Sequence, residues 1–177
     1  MSNLKADKIK SEMLEKIAEE IKKCKKCRLW KTRTNAVPGE GPSNAKIFFI
    51  GQAPGKQEDL QGRPFVGRAG KFLNMLLEKN NIARNKVFIT SVLKCFPPKN
   101  RLPKNDEVKA CLPYLIKQLE IVNPRIVVLL GNVAVKALKN HEILKGRKVI
   151  CTYHPAAGMR FPKIRKKMLE DFKKIQI

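Results

Sequence analysis

Four cysteines are placed as metal ligands are placed. Cys24 and Cys27 form a C-x-x-C directly after a helical pattern. Cys95 follows an apolar run, and Cys111 lies in the helical pattern after it, with fifteen residues between the two. Four thiolates from two distant segments can converge on one tetrahedral or cubane centre. Zinc and a four-iron cluster both accept such a set, and spacing does not separate them. The plainer reading makes Cys95 and Cys111 small buried hydrophobes. It sits badly with the polar stretch Lys94-Cys95-Phe96-Pro97-Pro98. The fifth thiol, Cys151, falls inside a strand pattern and is expected in the core.

A second group of residues is suited to a small ligand. The loop Gly51-Gln52-Ala53-Pro54-Gly55 combines glycines that let backbone approach a ligand closely. A downstream stretch, Gly62-Arg63-Pro64-Phe65-Val66-Gly67-Arg68-Ala69-Gly70, repeats that composition. Such loops could cradle phosphate or merely turn a strand into a helix. A Walker loop is excluded, because no Gly-Lys-Ser/Thr triplet occurs. Of two histidines, His154 precedes Pro155 on the predicted rim of the site, and His141 reads as surface. Glu40, Glu58 and Asp59 are the acids nearby, and helix capping explains each at least as well as catalysis.

These residues need a frame. Apolar, β-branched or aromatic runs recur at 46–50, 87–93, 125–130 and 148–152, bounded by turn signals as buried parallel strands are. Helical periodicity occupies 5–23, 69–78, 105–122, 132–138 and a basic stretch at 163–175. An Asn cap is expected at Asn105, and Pro124 follows the end of that helix. Strand–helix alternation predicts a single α/β domain over 1–177, with a small, mostly parallel four-stranded sheet flanked by helices on both faces. Ligands in such folds collect beyond the carboxyl ends of the strands. The unusual residues fall there: 51–55, 95–101, 131–132 and 153–157.

Charge narrows the partner. Thirty-eight Lys and Arg against fifteen Asp and Glu give a formal +23. Such an excess favours an anionic partner, and nucleic acid gains most from basic side chains through counterion release. No apolar run is long enough to span a bilayer, and the N-terminus lacks a secretory pattern. A cytoplasmic monomer with no membrane attachment is expected.

Taken in order, these segments resemble the family 4 uracil-DNA glycosylases of thermophilic bacteria and archaea. The likeness rests on the Cys24/Cys27 pair, Pro38-Gly39-Glu40-Gly41, the loops at 51–55 and 62–70, and Thr90-Ser91-Val92-Leu93-Lys94-Cys95-Phe96-Pro97-Pro98. It continues through Asn100-Arg101, Cys111 and His154-Pro155-Ala156-Ala157. The resemblance implies removal of uracil from single- and double-stranded DNA, leaving an abasic site. It implies a structural 4Fe-4S cluster on Cys24, Cys27, Cys95 and Cys111.

The resemblance also assigns roles. His154 and Gln52 are the catalytic candidates. Gly51, Gln52, Ala53, Gly55, Phe65, Ser91, Asn100 and His154 surround the base, with Phe65 as the wall on which uracil stacks. Arg68, Arg101 and Arg160 are the DNA-binding candidates, and 158–162 could wedge into the gap left by a flipped base. Two positions depart from the pattern. Gln52 replaces the common Glu, a change that family 1 enzymes share. Ser91 replaces the Asn of many members, so base reading leans on backbone groups, a water or Asn100. Three rival readings remain: a family 5-like glycosylase with broader base preference, a non-catalytic nucleic-acid-binding protein with structural zinc, and a nucleotide-binding enzyme using the Gly-rich loop on phosphate.

Overall fold

The computed structural model describes residues 2–176. Four strands form one parallel sheet in the order β2-β1-β3-β4, with β1 at Ile47–Gly51, β2 at Phe88–Ser91, β3 at Ile126–Leu130 and β4 at Lys148–Thr152. The first crossover runs to one side of β1 and the next to the other. The chain therefore has a switch point between β1 and β3, where a crevice opens at the carboxyl edge.

Among the described residues seven α-helices surround the sheet: α1 Ser2–Lys23, α2 Lys56–Gln61, α3 Arg68–Lys79, α4 Asn105–Val122, α5 Asn132–Leu138, α6 Pro155–Arg160 and α7 Pro162–Phe172. Strand side chains alternate between two cores. Ile47, Phe49, Ile89, Val128 and Leu130 pack with Phe72, Leu73, Leu76 and Leu77 of α3 and with Met168 and Phe172 of α7. Phe48, Ile50, Phe88, Val127 and Leu129 pack with Leu115 and Leu119 of α4 and with Ala134 and Leu138 of α5. Each such side chain contributes about 1.5–3 kcal/mol when fully buried. Helix α1 lies outside the second layer, with Ile17 and Ile21 packed on Tyr114 and Ile121 of α4.

Helices 105–122 and 132–138 and strand 148–152 stand where periodicity puts them. Strand β2 is shorter than expected. Beyond Ser91 the chain no longer pairs as a strand, although Val92 and Leu93 still donate to the carbonyls of Gly51 and Gln52. The expected Asn105 cap is corrected: Lys104 is the N-cap, and the Glu107 carboxylate accepts its N–H at 2.9 Å. The basic C-terminal helix runs from Pro162 to Phe172, and the wedge candidate 158–162 joins it to α6 at Pro155–Arg160. Pro155 and Pro162 each supply a helix-ready φ in the first turn, which splits the segment into two helices.

Cys151 is also corrected. It is exposed, not core. Strand β4 is an edge strand, and α7 covers the face carrying Ile150, while α5 packs chiefly on β3 and β1. Among the described residues no helix is long and apolar enough to cross a membrane.

Candidate active site

At the carboxyl edge of the sheet the strand ends bring together Ser91, Gly51, Gly131 and His154 from β2, β1, β3 and β4 in turn. Gly51 has no side chain because none fits. A Cβ there would stand 2.6 Å from Phe65 Cζ and 3.1 Å from Ser91 Oγ. Gly131 has φ +91°, and a Cβ would stand 2.9 Å from that of His154. The Phe65 ring is offset-stacked on His154, with centroids 6.0 Å apart. These side chains therefore meet around one narrow space.

Phe65 is held in a conformation that a bulky residue rarely adopts, at φ +51°. Three contacts maintain it. Arg84 Nη2 donates to the Pro64 carbonyl at 2.7 Å and to Glu40 Oε1 at 2.9 Å. Glu58 Oε1 accepts the N–H groups of Val66 and Gly67 at 2.9 and 2.8 Å. Gly70 presses its bare Cα side against the Phe65 carbonyl. Glu58 also reaches back to the Gly55 N–H at 3.1 Å, closing a capping box on α2. One carboxylate thus joins the 51–55 loop to the 65–67 loop.

Replacing Glu58 by Ala leaves three N–H groups without their acceptor. Charge-assisted bonds contribute roughly 1.5–3 kcal/mol each, so a loss of a few kcal/mol is expected in chemical unfolding. Glu58→Gln keeps an acceptor oxygen and should lose less. An unchanged unfolding midpoint for Glu58→Ala would show that the loops hold themselves.

His154 is half-buried and caps α6: its Nδ1 accepts the Ala156 N–H at 3.2 Å. That bond occupies the Nδ1 lone pair, so in the neutral ring the proton sits on Nε2. Burial draws its pKa below the ordinary value, and the Glu58 carboxylate opposes the shift only in part. The site therefore presents a neutral Nε2–H donor beside an aromatic wall.

The remaining predicted residues are distributed as follows. The carbonyls of Gly51 and Gln52 accept from Val92 and Leu93, which ties the start of this loop to the segment after β2. Ala53 packs its methyl on the cluster of Leu29, Leu93, Cys95 and Cys111. Asn100 has φ +55°, and its Oδ1 would lie 3.7 Å from a Cβ on Gly55. Arg68 and Arg160 are exposed at the start of α3 and the end of α6. Arg101 is engaged internally, bidentate to buried Glu107 at 2.6 and 2.9 Å. Glu40 pairs with Arg63 and Arg84, and buried Asp59 accepts the N–H groups of Thr34 and Asn35. All three nearby acids are thus tied into loop architecture.

The four predicted cysteines line one cavity between α1, α4 and the segment after β2, together with Ile21, Trp30, Arg33, Lys94 and Tyr114. Two of these sulfurs have an N–H donor: Lys26 N–H reaches Cys24 at 3.5 Å, and Arg33 Nη1 reaches Cys95 at 3.1 Å. Its neighbour Cys111 draws the Cys27 thiol down to about 6, and Cys27 and burial push Cys111 up. Among the described residues no three Cys, His, Asp or Glu groups are gathered to hold a single ion.

Lys94, unremarked in the sequence beyond its motif, is fully buried there. Its Nζ donates to Thr90 Oγ1 and Gln118 Oε1 at 2.5 and 2.7 Å, and burial draws its ammonium down to about 7. No sequence signal marks it, since a lysine in a basic protein reads as surface.

Comparison with known proteins gives a consistent result. Residues 38–175 match the Uracil DNA glycosylase superfamily. The chain is 48% identical to the "Type-4 uracil-DNA glycosylase" of Sulfurisphaera tokodaii, over 92% of this chain and 83% of that one. It is 46% identical to the protein of the same name from Saccharolobus solfataricus, over 92% and 85%. The "Type-5 uracil-DNA glycosylase" of Pyrobaculum aerophilum is 33% identical, over 77% and 72%.

Proposed function

Since this chain belongs to the uracil DNA glycosylase superfamily and, within it, to the type-4 enzymes, we propose that it excises uracil from DNA with His154 as the donor to the departing base. It is a DNA-repair hydrolase acting on an N-glycosyl bond. The observation that carries the mechanism is the Nδ1 cap, which leaves His154 with its proton on Nε2 beside Phe65.

The glycosidic bond is out of reach inside the base stack, so the nucleotide is extruded. Uracil then lies against Phe65, in the space bounded by Gly51 and Ser91. Bond cleavage puts negative charge on the uracil and positive charge on the sugar. A fixed N–H aimed at the uracil oxygen lowers that barrier, because the donor needs no reorganisation when charge develops. Glu40, Glu58 and Asp59 each have structural partners, which favours a dissociative path with weak need for a general base. Water attacks the sugar cation, and the DNA phosphates stabilise it.

Arg68 and Arg160, with the formal +23 of the chain, supply phosphate contacts on single and double strands. Arg101 serves this purpose less, since Glu107 holds its guanidinium. The enzyme works as a monomer in the cytoplasm, where the genome of a prokaryote lies.

Cys24, Cys27, Cys95 and Cys111 hold a structural 4Fe-4S cluster. The four cysteines line one cavity, and N–H donors reach Cys24 and Cys95, the kind of contact that tunes iron–sulfur centres. When bound, the cluster clamps α1 to α4 and to the segment after β2, and takes no part in the chemical step.

The test uses an oligonucleotide with one deoxyuridine, with EDTA present. Abasic sites should form on both single and double strands, and the purified protein should be brown, with iron and sulfide in equal amounts. Absence of product on both substrates would overturn the activity. A colourless, zinc-bearing protein would overturn the cluster alone.

A further inference from the structure

Lys94 presents an unsolved charge. It is 1% exposed, and among the described residues no carboxylate pairs with it. A buried ammonium without a counter-charge is strongly unfavourable. Its two acceptors are neutral, and their polarity is fixed. The Pro38 carbonyl, which has no hydrogen to give, accepts from Thr90 Oγ1 at 2.8 Å and from Gln118 Nε2 at 2.9 Å. Thr90 and Gln118 are therefore left with acceptors facing Lys94, which donates to both. Lys94 also lines the cavity of the four cysteines, and Thr90 and Gln118 are neutral, so among the described residues no negative group beside it offsets its charge.

Arg33 approaches the same cavity from the other side. Its Nη1 donates to Cys95, and its Nη2 donates to the Lys22 carbonyl. That carbonyl belongs to the last turn of α1, whose negative dipole end points at Cys24. A negative centre at this place needs a cation beside it.

We propose that Arg33 and Lys94 are the charge-compensating pair of the four-cysteine centre. This rests on the reading that the cysteines hold a metal centre. Four thiolates carry four negative charges, and a resting four-iron, four-sulfur core carries two positive ones. The centre is thus doubly negative, and one guanidinium and one ammonium neutralise it. A zinc ion in the same ring leaves the same charge.

The test compares the full-length wild type with Arg33→Gln, Lys94→Met and the charge-retaining Arg33→Lys, all purified anaerobically. Readouts are iron and sulfide per chain, the midpoint potential of the centre, and the rate of bleaching by ferricyanide with a chelator. A nearby cation favours the form holding the extra electron. Both neutral variants should therefore shift the potential in the negative direction, and Arg33→Lys should not. Bleaching should accelerate roughly tenfold or more in the neutral variants, the scale on which partners of metal ligands act. A packing defect alone would speed bleaching without a potential shift of one sign at both positions. If Lys94→Met does not fold, Arg33→Gln reads the same shift without disturbing the buried network. Iron-loaded variants with wild-type potentials would overturn the pair and leave the cluster intact. A zinc-loaded wild type would overturn the iron reading, and zinc release to a chromogenic chelator then tests the pair on the same tenfold scale. A wild type holding no metal would overturn both.

Discussion

His154→Ala is expected to slow uracil release by roughly 10²–10³-fold, the range for deleting one preorganised donor to a developing anion. The effect should appear in single-turnover rates, with DNA affinity little changed, because the donor matters most after charge has moved to the base. The pH dependence follows from the same geometry. Burial depresses the His154 pKa from an ordinary 6.5, so the ring stays neutral as pH falls through the usual histidine range. Its contribution to the rate should therefore be flat from about pH 8 to about pH 6.5. Stability behaves differently. A neutral buried histidine lets the unfolded chain bind the proton first, so its contribution is complete above about 6.5 and is lost as pH falls through the lower folded value. A wild-type rate that drops on His154 protonation above pH 6.5 would contradict the Nε2–H assignment, as would a His154→Ala rate within a few-fold of wild type.

The layers of this fold are legible because its hydrophobic periods are clean. Phe48 and Phe49 point to opposite cores, as alternation requires, and Leu73, Leu76 and Leu77 trace one helical stripe. The strand ends then bring Gly51, Ser91 and His154 together without further information. What escapes is whatever depends on a partner distant in sequence. Cys151 sits in a strand pattern like the others, and only the sheet order leaves it at an exposed edge. Arg101 looks like a phosphate ligand until Glu107 folds back upon it. Lys94 cannot be told from surface lysines, because the acceptors that admit it to the interior come from Thr90 and, 24 residues away, Gln118. Glu58 is readable as a cap, but not as the tie to Val66 and Gly67 across the site.

Specificity turns on the same narrow space. The type-5 relative is less similar than the type-4 relatives, at 33% against 48% and 46% identity. Ser91 is buried at the end of β2 with its Oγ directed to the flank of Gly51. Its hydroxyl cannot reach as an Asn amide would, so in the proposed uracil site steric closure by Phe65 and Gly51 does more of the selection. A pocket defined by closure depends on the exact seating of its wall.

That dependence makes Gly70→Ala the most informative substitution away from the reacting atoms. Gly70 lies in the first turn of α3, five residues after Phe65, and touches no part of the proposed substrate space. A Cβ there would stand 1.9 Å from the Phe65 carbonyl oxygen and 2.1 Å from its carbon. These are backbone atoms, so no side-chain rotation relieves the clash. The peptide must move, yet Phe65 is at φ +51°, and its neighbours are tied to Arg84 and Glu58. Shifting it carries the ring away from its stack on His154 and opens the wall of the proposed uracil site. Overpacking of this kind costs about 1–3 kcal/mol. A misplaced contact of about an ångström can reduce an enzymatic rate by about 10²-fold. Gly70→Ala should therefore unfold at lower denaturant and release uracil some hundred-fold more slowly, with the four-cysteine cavity between α1 and α4 undisturbed. Wild-type rates in a destabilised Gly70→Ala enzyme would mean that the Phe65 ring is not the wall on which the base rests.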